Sequence, residues 1–218
     1  IFSAMRCLGL FGLAIPESYG GLGLNSEEEC HIVMELGRTS PAFRSVVGTN
    51  MGIGSQGLLM DGTEEQRRHF LPKLASGEII GSFALTEPNA GSDAASLETK
   101  AVEDGDDFLL TGTKQWITNA KSAQLFTVFA RTDPNETRSR GVSAFLVEAD
   151  RSGISLSSNY KKMGQQGAHV CDINFDQCRV PRSNIIGGPD RINNGFQTAM
   201  KTLDRGRIHI AALSVGCA

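Results

Sequence analysis

Apolar positions recur at helical spacing through the first third of the chain and then change period. Ser26-Glu-Glu-Glu29 reads as a capping box, with Ser26 accepting from the N3 amide and Glu29 reaching back. Behind it Cys30, Val33, Met34 and Gly37 share one face of a helix. Ser40-Pro41 punctuates, and a second helical segment runs from about Pro41 to Met60. Its glycines (Gly48, Gly52, Gly54, Gly57) are poor helix formers, each costing about 1 kcal/mol against Ala. Two readings stand for them: tight helix packing, or close approach to a ligand. Asp61-Gly62 is a stop, and Thr63-Glu-Glu-Gln66 is a second capping box, opening a helix towards Leu74 and Gly77. Pro72 is expected to end or kink that helix.

From Ile79 the period shortens. "IIGSFAL", "SLETKAV", "DFLLTGTKQWITN", "QLFTVFAR", "GVSAFLVEA" and "HVCDINFDQCRV" are short runs rich in β-formers, separated by turn residues. Asp104-Gly105 marks a hairpin between the second and third. Six such runs without a long helical pattern between them predict an antiparallel barrel or sandwich rather than βαβ units. After "IIGGPDRINNG" helical character returns, with Met200, Leu203, Arg207, Ile208, Ala211 and Ala212 forming a face. The expected class is α+β: an N-terminal helical domain over residues 1–78, a central β domain over 79–189, and the start of a C-terminal helical bundle over 190–218. The chain opens on Ile1 and closes on the apolar run "IAALSVGCA", so it is expected to be a piece of a longer protein.

Composition changes this picture only by exclusion. With 21 basic and 24 acidic side chains the net charge is −3, which removes the electrostatic case for nucleic-acid or anionic-membrane binding. No apolar run approaches the roughly 20 residues of a membrane span. Cys7, Cys30, Cys171, Cys178 and Cys217 form no C-x-x-C pair and suit free thiols. His31, His69, His169 and His209 are dispersed, so no metal site is expected and none of the four is assigned a ligand role.

Two stretches carry candidate chemistry. "FALTEPNAGSD" (83–93) leaves a strand and spends its length on hydroxyls, a proline and small residues. Amides around Asn89, Ala90 and Gly91, with hydroxyls at Thr86 and Ser92, form a cradle for a diphosphate or a polar ring edge. The alternative is a loop capped by its own Ser and Asp. "WITN" (116–119) puts Trp116 and Thr118 on one face by the two-residue period, a flat surface beside a hydroxyl. The alternative there is a core tryptophan. No Walker or Rossmann glycine pattern is present.

"LTEPNAGSD", "GTKQWITN", "FLVEADRSGIS", "KMGQQGAH" and "INFDQCRVP", in that order, resemble the acyl-CoA dehydrogenase family of flavoenzymes. "GLAIPESYGGLGL" and "GTEEQRRHFLPKLASGEIIGSFALTEP" resemble its N-terminal helical domain, and "GFQTAMKTLDRGRIHIAALSVG" the start of its C-terminal one. The resemblance spans essentially the whole chain.

It implies FAD as cofactor. Phe83, Leu85, Thr86, Gly91 and Ser92 would run along it, with Thr86 near the pyrimidine edge and Ser92 near the pyrophosphate. Trp116, Ile117 and Thr118 would lie against the isoalloxazine, with Thr118 directed towards N5. Ser92, Asp204 and Arg207 would touch the acyl-CoA. The implied reaction is α,β-dehydrogenation of an acyl-CoA thioester, with hydride passing to N5 and an electron-transferring flavoprotein reoxidising the flavin. The whole protein would be a homodimer or homotetramer, cytoplasmic in a bacterium or in the mitochondrial matrix of a eukaryote. The catalytic glutamate is expected beyond residue 218, because the alternative family position, within "LDRGR", is Gly206 here; no catalytic residue is therefore assigned within the chain. Arg44 resembles the position at which glutaryl-CoA dehydrogenases hold a distal carboxylate; otherwise it caps a helix or pairs at the surface. Glu87 is either a catalytic acid or a fixed structural carboxylate. Two rival readings are an acyl-CoA oxidase or flavin monooxygenase of the same fold, and a non-catalytic flavin- or CoA-binding fragment.

Overall fold

A computed structural model describes residues 1–136 and 138–218. Helices α1 (Phe2–Cys7), α2 (Ser26–Thr39), α3 (Pro41–Gly48), α4 (Gln56–Asp61) and α5 (Glu64–Ser76) precede strands β1 (Gly81–Ala84), β2 (Lys100–Asp104), β3 (Asp107–Thr118), β4 (Leu125–Arg131), β5 (Val142–Glu148), β6 (Ile154–Leu156) and β7 (Val170–Pro181). Helix α6 (Gly195–Cys217) closes the chain. The expected order of helices, β module and returning helix is therefore what forms.

Several details differ from expectation, each for a physical reason. The first capping box sits one residue earlier: the Asn25 side chain accepts from Glu27 N and Glu28 N, while Glu28 reaches back to Asn25 N at 2.9 Å. Asn caps a helix at least as well as Ser. The shift frees Glu29, which turns inward and is fully buried. The second box is as expected, with Thr63 and Gln66 bonded reciprocally. Pro72 neither ends nor breaks α5, which runs on through the buried Leu71 and Leu74 until Gly77 takes a left-handed conformation. The segment expected as one helix over 41–60 is divided by a π-helical turn at Thr49–Gly54, with Gly52 off the helical backbone at φ −93° and ψ −107°.

The seven strands form one curled sheet in the order β1-β4-β2-β3-β7-β6, with β5 on the free side of β4. It is mixed rather than wholly antiparallel, because β1 runs parallel to β4 and Lys100 of β2 meets Arg131 of β4 in parallel. The β2–β3 hairpin turns as expected with Gly105 at φ 65°. One sheet face buries Phe108, Phe126, Phe145 and Ile173; the other packs Phe83, Phe129 and Leu146 against Leu58, Leu71 and Leu74.

Helix α6 returns across the helical layer, and the expected face is the buried one in part: Met200, Leu203 and Ala212 turn inward. Thr198, Thr202, His209, Ala212 and Leu213 face inward, while Arg207, Ile208 and Ala211 are exposed. The inward face is narrow and partly polar because α6 approaches α2 closely: a Cβ on Gly37 would lie 2.8 Å from the Leu213 carbonyl oxygen. This packing places the α6 side chains over α2 and α3.

Candidate flavin and acyl-CoA site

The two sequence motifs meet in space. Gln115 N donates to Thr86 O at 2.8 Å, and Ser82 Oγ donates to Thr118 O at 2.6 Å, so the loop after β1 lies along the end of β3. A register shift between Lys114 and Ile117 breaks the β3–β7 ladder there. Trp116 takes φ 62° in that bulge, a costly conformation for a bulky residue. The bulge turns the indole out, 53 % exposed, with Ile117 buried behind it and Thr118 half-buried beside it. Trp116 is therefore not a core residue. One indole face rests on Tyr160, the ring centroids 3.9 Å apart. Tyr160 is anchored in turn by its hydroxyl, which donates to Asp172 at 2.9 Å and accepts from Gln115 Nε2 at 3.0 Å.

Tyr160 was not foreseen. Its only signal was a lone aromatic in the polar stretch "SSNYKK".

The loop itself is held from below. Glu87 and Ala90 exchange backbone bonds of 3.0 and 3.2 Å, which closes a tight turn. The Glu87 carboxylate accepts from Thr99 N at 3.0 Å and from Glu98 N, and pairs with Lys114 Nζ at 2.6 Å. Lys114 also donates to Leu85 O at 3.1 Å. Burial raises the Glu87 carboxyl, but Lys114 and the amides outweigh it and hold it below its ordinary range. Burial drives the Lys114 ammonium down to about 8 despite that partner. Glu87, with every neighbour accounted for, is a structural carboxylate and not a free acid.

What remains free faces outward. Asp93 caps the following turn through Ser96, whereas the hydroxyls of Thr86, Ser92 and Thr118 bond no protein group among the described residues. Gly91 is exposed, and a Cβ there would meet nothing within 4 Å. Phe83, Leu85 and Ile117 turn their side chains into the core, so they offer a ligand backbone only. Three unpartnered hydroxyls, an open glycine turn and an indole with one free face suit a flavin dinucleotide: a planar heterocycle joined to a polar diphosphate chain.

Asn119 ties this surface to the helical layer, its Nδ2 donating to Val46 O of α3 at 2.9 Å. Beyond lies a cavity of about 380 Å³ between α3, the π-helical turn and α6, walled by Arg44, Gly48, Gly52, Gly206, Arg207 and His209 among others. The two readings of the glycines divide along the chain. Gly54 and Gly57 press against Gly81 and Thr198, whereas Gly48 and Gly52 open onto the cavity. Arg44 neither caps a helix nor pairs at the surface: it is 8 % exposed, and among the described residues its side chain has no hydrogen-bond or ion-pair partner. Its guanidinium lies back over Gly48, where a Cβ would sit 2.9 Å from Cζ. Asp204 and Arg207 are exposed and paired with each other, and Arg207 lines the cavity.

The chain matches the family descriptions "Acyl-CoA dehydrogenase, N-terminal domain" over residues 1–78 and "Acyl-CoA dehydrogenase, middle domain" over 82–178. It is 42 % identical over 217 residues to a probable acyl-CoA dehydrogenase, YngJ, of Bacillus subtilis, covering 100 % of this chain and 56 % of that protein. It superposes with a TM-score of 0.91 at 36 % identity on the Bacillus anthracis acyl-CoA dehydrogenase complexed with FAD, covering 99 % of this chain and 36 % of that one. A glutaryl-CoA dehydrogenase in complex with glutaryl-CoA gives a TM-score of 0.91 at 35 % identity, over 98 % and 53 %. The chain spans about half the length of the curated relatives it matches. On fold, motif order and these likenesses together, the chain belongs to the acyl-CoA dehydrogenase family, whose cofactor is FAD.

Proposed function

We propose that the whole protein containing this chain dehydrogenates an acyl-CoA thioester to the trans-2-enoyl-CoA and passes the electrons to an electron-transferring flavoprotein. The observation that carries this is the junction of the Thr86 and Trp116 loops beside the α3–α6 cavity. FAD, when bound, supplies the hydride acceptor. The backbone of Phe83, Leu85 and Gly91 and the hydroxyls of Thr86 and Ser92 hold it, Trp116 covers its ring, and Ile117 and Thr118 line its reacting edge. Ser92 on the loop after β1, with Asp204 and Arg207 on α6, receives the CoA-bearing end of the substrate, and Arg44 waits at the acyl end. The cavity wall among the described residues carries no free carboxylate. The same reading, through the family resemblance, keeps the general base outside this chain's assigned residues. Dimeric or tetrameric assembly belongs to the same reading, as does a cytoplasmic or mitochondrial-matrix setting according to the host.

The unpaired Arg44 sharpens the substrate. A buried cation without a partner costs several kcal/mol, and an acyl chain ending in a carboxylate would relieve that through a charge-assisted pair. The reading is therefore a dehydrogenase for acyl groups with an anionic far end.

In the full-length protein, Thr118→Val removes one hydroxyl and keeps the shape. Flavin reduction by acyl-CoA in stopped flow is expected to slow about tenfold, the worth of one hydrogen bond, with FAD content unchanged. An unchanged rate would take the role from Thr118.

A further inference from the structure

We propose that Tyr160 is a positioning residue of the flavin site: stacked on one face of Trp116, with its hydroxyl held between Asp172 and Gln115, it fixes the indole so that the other face meets the isoalloxazine. The inference rests on the flavin placement proposed above and adds to it a residue that acts through Trp116 rather than on the cofactor.

Trp116 does not hold its own position. The β3–β7 ladder breaks off at Lys114 and Ile173 and resumes at Ile117 and Cys171, so strand pairing passes over it. Its φ of 62° is a strained backbone for a bulky residue, and such a conformation persists only where its neighbours over-determine it. Core packing does not fix the ring either, since the side chain is exposed. Tyr160 supplies the missing constraint. The two ring centroids are 3.9 Å apart with 32° between the planes, a contact that covers one face of the indole and leaves the other free.

Tyr160 is itself held at three points. Its backbone N–H donates to Val170 O at 2.9 Å, its hydroxyl donates to both Asp172 oxygens at 2.9 Å, and the hydroxyl oxygen accepts from Gln115 Nε2 at 3.0 Å. Asp172 is anchored in turn, its N–H donating to Ser157 Oγ at 2.9 Å. The hydroxyl proton is spent inside the protein, so Tyr160 has none to offer a ligand. Gln115 keeps its backbone bond to Thr86 O whatever stands at 160, so the Thr86 loop does not depend on the tyrosine. The route from Tyr160 to the flavin therefore runs through the indole.

The test is a double-mutant cycle on FAD affinity, measured by titrating deflavinated full-length protein with FAD and following flavin fluorescence. Tyr160→Leu removes the stack and the hydroxyl, and should raise Kd about 3- to 10-fold, the worth of one aromatic pair. Trp116→Ala should raise Kd as well. In the Trp116→Ala background Tyr160→Leu should change Kd by less than about twofold, because the ring it positions is gone. Tyr160→Phe keeps the ring but loses its anchors, and should fall between wild type and Tyr160→Leu. An equal loss in both backgrounds would make Tyr160 a support of its own loop and overturn the inference, as would an unchanged Kd in Tyr160→Leu. Should Tyr160→Leu not fold, Tyr160→Phe run through the same cycle decides by the same comparison. If Trp116→Ala alone leaves Kd unchanged, the flavin contact proposed for Trp116 fails, and this inference with it.

Discussion

Replacing Glu87 by Gln is expected to lower the unfolding free energy by about 3–5 kcal/mol, the cost of leaving a buried charge without its partner. Glu87 and Lys114 are 4 % and 0 % exposed, and the carboxylate holds one ammonium and two backbone amides at once. Gln presents one carbonyl oxygen to that set and turns an amide donor on the others. Lys114 would lose its counter-charge, keeping the Leu85 carbonyl and at most a neutral carbonyl at the Oε1 place. Because this pair underlies the Thr86–Ser92 turn, FAD content should fall with stability. The acid limb follows from the same carboxylate. Its pKa is lowered on folding from the ordinary 4.5, so its contribution is complete above that value. It is lost as pH falls through the folded value, and the variant should lack that component of acid unfolding. Adding Lys114→Met to Glu87→Gln removes the orphaned cation and should restore much of the loss. Denaturant melts of the three proteins check this; a single-variant loss under about 1 kcal/mol would contradict the structural role of Glu87.

Arg44→Met should act in opposite directions on stability and activity. Met keeps the length of the stem and removes a guanidinium whose own pKa is depressed by burial. The ligand-free protein should melt at a higher temperature, as expected when a buried charge yields to an apolar residue of similar volume. Activity on a thioester with a distal carboxylate should fall at least about thirtyfold in kcat/KM, equivalent to about 2 kcal/mol, with a plain acyl chain little affected. A lower melting temperature together with equal losses on both substrates would make Arg44 a structural residue.

The β module was legible because each run is bounded by turn chemistry that acts locally, such as Asp104-Gly105 at the β2–β3 hairpin. The parallel pairing of β1 with β4 was not, since Gly81 and Leu125 meet through tertiary packing and no local signal reports it. Three-residue β6 was missed for want of length. The face of α6 was read correctly at Met200, Leu203 and Ala212 and wrongly at Ile208 and Ala211, because hydrophobicity cannot see that the helix buries Thr198, Thr202 and His209 against close neighbours. A carboxylate one place beyond a capping residue looks like a cap in sequence. In the fold Glu29 is instead the buried partner of Arg205 and His209. The two site loops were legible as motifs, and the role proposed for them came through resemblance. Their contact, Gln115 N to Thr86 O, and the left-handed backbone at Trp116 are properties of the folded bulge.

The central claim is the dehydrogenation half-reaction. It is tested most directly by titrating the full-length protein anaerobically with glutaryl-CoA and with saturated acyl-CoAs of increasing length, following the flavin absorbance band. The account predicts a yellow protein that bleaches stoichiometrically, at the lowest concentration with glutaryl-CoA. A protein that stays yellow with every thioester would contradict it.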